Sequence, residues 1–346
     1  MGQLRASLHS GKAVAVTGNI LVVGGAGYIG SHMCKHLSMA GYQPIVVDNL
    51  VYGHEQAVKW GPFFKGSMND SALLSKVFSD YPVEAVMHFA AFCYVGESVT
   101  SPAKYYQNNV SHTLSLLKVM VEKNVRRFIF SSSCATYGQP IEIPISEDHP
   151  QRPINPYGRT KVMVEQILED YRTAYGLESV SLRYFNAAGA DHDGDLGEDH
   201  RPETHLIPLV LQTALGQRPC VDIFGNDYPT TDGTCVRDYI HVEDLAKAHL
   251  LALEKLLNGL PGGQYNLGND KGYSVAEVVD VARRVTGKPI ATTVGARRAG
   301  DPAVLVSSSR KAAQELGWHT KFPDLETIVE TAWNWHKAHP DGYGDD

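Results

Sequence analysis

Ile20-Leu21-Val22-Val23-Gly24-Gly25-Ala26-Gly27-Tyr28-Ile29-Gly30 is a short apolar run that breaks into a glycine-rich turn and then opens a helical pattern. A strand of consecutive apolar residues implies burial on both faces, and a helix N-terminus directly behind it offers free backbone N–H groups to an anion. In that context the three spaced glycines have separate tasks. Gly24 permits the tight turn, Gly27 lets backbone approach a pyrophosphate, and Gly30 lets helix and strand pack closely. The next strand ends on Asp48, a carboxylate placed to accept from an adenosine ribose hydroxyl and to repel a 2′-phosphate. The expected cofactor is therefore NAD rather than NADP.

Working outward, apolar β-rich runs at 20–23, 44–47, 85–89, 127–130 and 179–182 are each separated by a stretch with helical spacing. That alternation is the rhythm of βαβ units and predicts an α/β fold, a doubly wound parallel sheet of Rossmann type. After Asn186 the periodicity becomes irregular, and Gly, Asp, His and Pro accumulate as far as Pro208. A smaller C-terminal α/β lobe for substrate is expected there, with helices at 243–257, 274–285 and 324–336 and a short strand at 265–267. The expected organisation is a dinucleotide domain over 19–185, a lobe over 186–346, and an interleaved return of the chain to the large domain at about 236–260. Residues 1–18 contain Arg5 and Lys12 but no acid and no continuous apolar segment, so a disordered leader is expected.

The chain has 346 residues, 43% hydrophobic and 20% charged, which suits a sizeable core. Its 31 basic and 38 acidic residues are scattered and leave a net charge of −7, which disfavours nucleic-acid and membrane surfaces as partners. No apolar stretch approaches the roughly 20 residues that span a bilayer. Cys34, Cys93, Cys134, Cys220 and Cys235 form no CxxC pair, so neither a disulfide framework nor a zinc site is suggested and a reducing cytoplasm fits. The 15 histidines include no HExxH motif, and no metal is assigned.

Two further stretches carry chemistry. Ser131-Ser132-Ser133-Cys134-Ala135-Thr136-Tyr137-Gly138 follows the run at 127–130, which puts small hydroxyls at the carboxyl end of a central strand, where ligands of such sheets bind. Pro156-Tyr157-Gly158-Arg159-Thr160-Lys161 places a phenol and an ammonium four residues apart on one helix face. A tyrosine ordinarily keeps its proton to about pH 10. A fixed positive charge beside it favours the phenolate, which would make Tyr157 a general base.

With these stretches, the chain resembles the extended short-chain dehydrogenase/reductase superfamily and, within it, the UDP-glucose 4-epimerase family. The likeness runs from about Asn19 to Tyr343. It includes Val95-Gly96-Glu97-Ser98-Val99, Tyr105-Tyr106 with Asn108-Asn109, Leu182-Arg183-Tyr184-Phe185-Asn186, Ile223-Phe224-Gly225-Asn226-Asp227-Tyr228, Val236-Arg237-Asp238-Tyr239-Ile240 and Arg297-Arg298-Ala299-Gly300-Asp301. The resemblance implies an NAD-dependent isomerase that inverts C4 of a UDP-hexose through a transient 4-keto sugar nucleotide. It implies Tyr157 as base, Lys161 on the nicotinamide ribose, and Ser133 on the reacting 4-hydroxyl. As cofactor contacts it implies Gly24, Gly27, Tyr28, Ile29, Gly30, Asp48, Asn49, Phe89, Ala90, Ala91, Asn108, Ser131, Tyr157, Lys161 and Tyr184. For the substrate it adds Asn186 near the diphosphate, Phe224 near uracil, Arg237 and Arg298 on phosphate, Asp301 on the uridine ribose, and Leu206.

The chain also departs from the family pattern. Gly66-Ser67-Met68 lacks the aspartate usual after the third strand, Cys93 stands where one branch has lysine, and Ala135 replaces a hydroxyl. Sugar-nucleotide 4,6-dehydratases, and UDP-glucuronate decarboxylases, carry acids after the serine run. Cys134 and Ala135 stand there instead, which disfavours both. UDP-xylose/UDP-arabinose and UDP-GlcNAc 4-epimerases stay open as alternatives, the latter because Leu305 is neither a large aromatic nor a small residue. A catalytically silent NAD-binding regulator would have no need of Tyr157, Lys161 and Ser133 together. Helical patterns at 102–123 and 156–175 lie where the family forms a four-helix interface, so a homodimer is expected.

Overall fold

In β1 (Asn19–Val23), Ile20 and Val22 enter one apolar core while Leu21 and Val23 enter another, so the strand is covered on both faces. Each fully buried aliphatic side chain contributes roughly 1.5–3 kcal/mol, and this double burial is why the strand reads as an unbroken apolar run. The protein was analysed as a computed structural model, which describes residues 18–298 and 301–344. All of the expected leader except Gly18 lies outside the described residues.

Around β1 runs a seven-stranded sheet, parallel throughout, in the order Gly263–Leu267 (β10), Glu178–Tyr184 (β6), Arg127–Ser133 (β5), Val83–His88 (β4), β1, Gln43–Asp48 (β2) and Phe63–Lys65 (β3). One face carries α1 (Tyr28–Met39) and α8 (Val242–Leu257), and the other carries α2 (Ser71–Asp80), α5 (Thr113–Glu122) and α6 (Pro156–Tyr175). The strands β1 to β3 build outward on one side of β1, and the chain then crosses over to place β4 on its other side, which opens a crevice outside the carboxyl ends of β1 and β4.

The lobe is built on β9 (Val236–His241), which pairs with β7 (Asn186–Ala188), β11 (Gly272–Ser274) and β13 (Val304–Leu305). A parallel pair, β8 (Val221–Phe224) and β12 (Thr292–Gly295), stands beside it. Its core is filled from α7 (Leu206–Ala214), α9 (Val275–Thr286) and α11 (Leu325–Ala338). Two expectations change here. Residues 236–241 belong to the lobe's sheet, although Ile240 of β9 packs into the large core while Tyr239 packs into the lobe core. The chain returns to the large sheet through α8 and β10, the strand expected in the lobe. Gln264 and Asn266 hide its apolar character, and the amide of Asn266 is buried only because Tyr137 donates to its Oδ1 at 2.6 Å and its Nδ2 donates to the Ile145 carbonyl at 2.9 Å.

The helix expected over 102–123 is also not uniform. After α3 (Val95–Thr100), α4 (Pro102–Tyr105) passes into a π-helical stretch, Tyr106–His112, before α5 begins. Such widened turns hold one extra residue and recur at functional sites. Here Asn109 is buried, donating to the Phe92 carbonyl at 2.9 Å and to Thr160 at 3.2 Å, while Asn108 faces the crevice.

Candidate active site

Strand register brings the sequence motifs to one edge. Val23 lies opposite Val47 on one side and His88 on the other, so the next residues along, Gly24, Asp48 and Phe89, emerge together at the carboxyl ends. Ser133 lies opposite Tyr184 in the same way. Beyond this edge, between sheet and lobe, is a cavity of about 1300 Å³. Every residue expected at cofactor or substrate lines it except Ser131, which is 1% exposed and accepts from Lys161 Nζ on its carbonyl at 2.7 Å while its hydroxyl lies 3.3 Å from His249 Nε2.

The glycine turn is fixed by sterics. Gly24 has φ +85°, and a Cβ on Gly30 would lie 2.1 Å from the Gly24 carbonyl oxygen, so neither position accepts a side chain without rearrangement. Gly27 is the N-cap of α1 and makes no side-chain cap, and a Cβ on it would meet other protein atoms only at Gly24 O, 3.5 Å away. The first N–H groups of the helix are thus left for a ligand in the cavity. Asp48 is held beside them, Oδ2 accepting from Ala26 N at 3.0 Å and Oδ1 from Leu50 N at 2.8 Å. A cradle of bare helix amides with a carboxylate at its end fits a dinucleotide of the NAD type. Gly66, Ser67 and Met68 line the same end of the cavity without supplying a carboxylate.

The phenol and ammonium come from the first turns of α6. Asn155 caps the helix, accepting from Gly158 N at 2.8 Å, and Pro156 occupies its first turn. A Cβ on Gly158 would lie 2.3 Å from the Ala135 carbonyl oxygen, so α6 packs directly on the turn after Ser133. Further along, Glu165 and Arg183 form a buried ion pair at 2.6 Å, and Ser132 and Gln151 donate to the same carboxylate at 2.5 and 2.8 Å. Arg183 rides on β6 and Ser132 on β5, so this fully bonded pair locks the helix across two strands.

Electrostatics here differ from the expectation that Lys161 would draw the phenol down. Burial raises the Tyr157 hydroxyl well above its ordinary value, reinforced by Tyr184 and Cys93, and only the Ser133 hydroxyl pulls it back. Lys161 Nζ lies 5.7 Å from the centre of the Tyr157 ring and donates to the Ser131 carbonyl at 2.7 Å. Its own pKa is pushed down to about 8 by burial, against smaller opposing effects from Cys93 and Glu165. Spacing along a helix fixed the proximity of these two groups. It could not supply the desolvation of both.

At the lobe end the groups engage each other. Arg237 pairs with Asp301 and donates to the Val236 carbonyl at 2.8 Å, while the Arg298 guanidinium lies 4.0 Å over the Phe224 ring. Asn186 donates to the Asp238 carbonyl at 2.8 Å. Leu206, at the start of α7, lines the wall near them. Sequence reading missed Arg218, which lines the same wall with a buried Nε that has no hydrogen-bond partner. It also passed over Glu198, His200, Glu203 and His205, all on the wall. Arg218 stands between Gln217 and Pro219 in no pattern that marks it.

The NAD dependent epimerase/dehydratase family matches residues 20–268. The UDP-glucose 4-epimerase of Halalkalibacterium halodurans is 56% identical over 94% of this chain and 97% of its own. The crystal structure of UDP-glucose 4-epimerase from Brucella ovis in complex with NAD superposes with a TM-score of 0.90, at 52% identity, over 92% of this chain and 98% of that one. An epimerase from Stenotrophomonas maltophila, with bound NAD and formylated UDP-arabinopyranose, is 38% identical with a TM-score of 0.90, over 94% and 99%. A match that spans the glycine turn, the Tyr157 helix and the lobe strand β9, in relatives aligned along nearly their whole length, leaves one conclusion: the chain belongs to the NAD dependent epimerase/dehydratase family.

Proposed function

We propose that the protein is an NAD-dependent UDP-glucose 4-epimerase in which Tyr157 carries the proton of the sugar's 4-hydroxyl. One observation carries this reading. Tyr157, Ser133 and Lys161 line a single cavity between a bare helix N-terminus suited to a pyrophosphate and a lobe wall of Arg237, Arg298, Phe224 and Asp301 suited to a uridine diphosphate. Relatives at 50–56% identity are UDP-glucose 4-epimerases, which makes the protein an isomerase.

NAD, when bound, supplies the acceptor that takes the C4 hydride and gives it back, and a positive charge. Gly27, Tyr28, Ile29 and Gly30 would hold its pyrophosphate and Asp48 its ribose, with Asn49, Phe89, Ala90, Ala91, Asn108 and Tyr184 around the rest. Tyr157 takes the proton from the 4-hydroxyl as C4 is oxidised to a ketone, and returns it to that oxygen after the sugar has presented its other face. Ser133 orients the hydroxyl. Because burial favours the neutral phenol, the buried charge of Lys161 favours proton removal and the desolvated phenol favours its return. Arg237 and Arg298 grip the diphosphate, Asn186 and Leu206 border it, Phe224 stacks with uracil, and Asp301 takes the ribose. Held at that end alone, the sugar is free to turn.

The test uses the protein without added cofactor, given UDP-galactose, UDP-GlcNAc and UDP-xylose in separate reactions. Conversion of UDP-galactose to UDP-glucose supports the reading, and preference for the pentose or the N-acetylated sugar would move it to that substrate. Tyr157→Phe should lower kcat by about 10²- to 10⁴-fold while retaining NAD. A near-normal rate would reassign the base.

We also assign a homodimer joined through the outer faces of α5 and α6. On these helices the apolar Leu117, Met120, Val164 and Leu168 are buried against the sheet and Ile167 packs partly against it, whereas the expected Leu114 is exposed, as is Met163, and both are left for a partner. Sedimentation as a monomer at micromolar concentration would remove this assignment. Among the described residues no helix is long and apolar enough to cross a membrane. All five cysteines are free thiols, which suits the cytoplasm as the compartment.

A further inference from the structure

Glu198, His200, Glu203 and His205 bring two imidazoles and two carboxylates to one point on the cavity wall, with one ligand atom from each lying within 4.8 Å of all the others. We propose that these four side chains form a binding site for a divalent transition-metal ion of the zinc class. Their spacing is not the helical one of HExxH: Glu-x-His-x-x-Glu-x-His runs through a loop that ends at the first turn of α7.

The geometry of His200 sets it apart from an ordinary ion pair. His200 Nδ1 is buried and lies 3.2 Å from Glu198 Oε1 and 3.7 Å from Glu203 Oε2, yet makes no hydrogen bond. An imidazole in an ion-pair network would be expected to align an N–H with one oxygen. This nitrogen instead converges with them on common space. His205 Nδ1 hydrogen-bonds Glu198 Oε1 at 2.5 Å and lies 3.6 Å from Glu203 Oε1. Zinc bonds of about 2.0–2.2 Å to nitrogen and oxygen set ligand atoms roughly 3.3–3.5 Å apart in a tetrahedron, so the separations of 3.2, 3.6 and 3.7 Å lie near the required edge, and His205 and Glu198 would part from their hydrogen bond to admit the ion. Two carboxylates also balance the charge of a divalent ion, and the mixed nitrogen and oxygen set selects zinc, cobalt or nickel over calcium or magnesium.

The loop is tied to both halves of the cleft. The Tyr28 ring of the cofactor cradle meets His200 edge-on at 6.3 Å, Tyr94 donates to the Pro202 carbonyl at 2.9 Å, and Leu206 follows His205 directly. A metal here would rigidify the wall beside the reacting sugar. It would take no part in the chemistry.

Purified full-length protein, stripped with chelator and dialysed, is titrated with cobalt(II) and followed by visible absorption and calorimetry, with zinc added last. The expected result is one equivalent bound, with the intense absorption of four-coordinate cobalt, bleached by zinc. His205→Ala removes a solvent-facing ligand and should weaken cobalt binding on the order of tenfold or more while leaving the circular dichroism spectrum intact. Glu203→Gln gives an independent second test should His205→Ala fail to fold. The weak absorption of hydrated cobalt, or equal affinity in wild type and a folded variant, would overturn the site. Because the readout is metal binding, it stands or falls separately from turnover.

Discussion

The two ends of the cleft are walled by different materials. At the dinucleotide end the surface is backbone, pressed so close that a single added carbon at Gly30 would overlap the Gly24 carbonyl. At the lobe end it is made of long side chains, Arg237 against Asp301 and Arg298 over Phe224, which reach one another across loops. A wall of backbone has one shape, whereas a wall of side chains can be regrouped around a ligand. The first end suits a resident cofactor held in one pose. The second suits a substrate that must enter, turn its sugar and leave.

Substitution should expose this contrast. Gly30→Ala is expected to have the largest effect, losing the cofactor and all measurable turnover, with stability lowered by about 1–3 kcal/mol or more from overpacking; retention of NAD at normal stoichiometry in the purified variant would break the comparison. Arg237→Ala should act in a graded way, raising KM roughly 30-fold, or about 2 kcal/mol for a lost charge-assisted contact, with NAD content unchanged. Initial-rate kinetics beside cofactor quantification would separate the two ends.

The smallest effect concerns the floor between them. Lys161 has a folded-state pKa of about 8 against an ordinary 10.5. Below about pH 8 the folded chain carries a buried ammonium that the unfolded chain holds in water. Between 8 and 10.5 the unfolded chain binds more protons, so this group's unfavourable contribution fades as pH rises. Urea unfolding of wild type and Lys161→Met at several pH values should show their stability difference shifting toward wild type across that window. A difference that stays flat would mean the ammonium is not desolvated.

The same contrast explains what could be seen in the sequence. The glycine turn, Asp48 and the Tyr157–Lys161 pair are each local, so spacing alone placed them in the cleft, and register of the parallel strands did the rest. Ser131 was legible as a position but not as an orientation, since only the packing of α6 shows that its carbonyl receives Lys161. β10 was misread because a strand at the sheet's edge tolerates Gln264 and Asn266, polar letters that look like lobe. Arg218 was invisible because long-range folding, not a motif, brings it to the wall, and the Glu198 to His205 set, though contiguous, follows a loop spacing that has no helical or strand period. The phenol's raised pKa depends on burial, which no four-residue spacing encodes.

The chain enters the lobe at β7, leaves it with α8 and β10, re-enters at β11, leaves again with α10 (Arg310–Leu316) packed on β10, and ends in the lobe with α11. No single cut separates the two halves. A chimera that aimed to import another specificity as a cassette would need several matched junctions, each in register with β9 and β10, or it would strip an edge from the large sheet. Change of substrate in this architecture is therefore open to point substitution and loop exchange, and closed to the shuffling of whole modules.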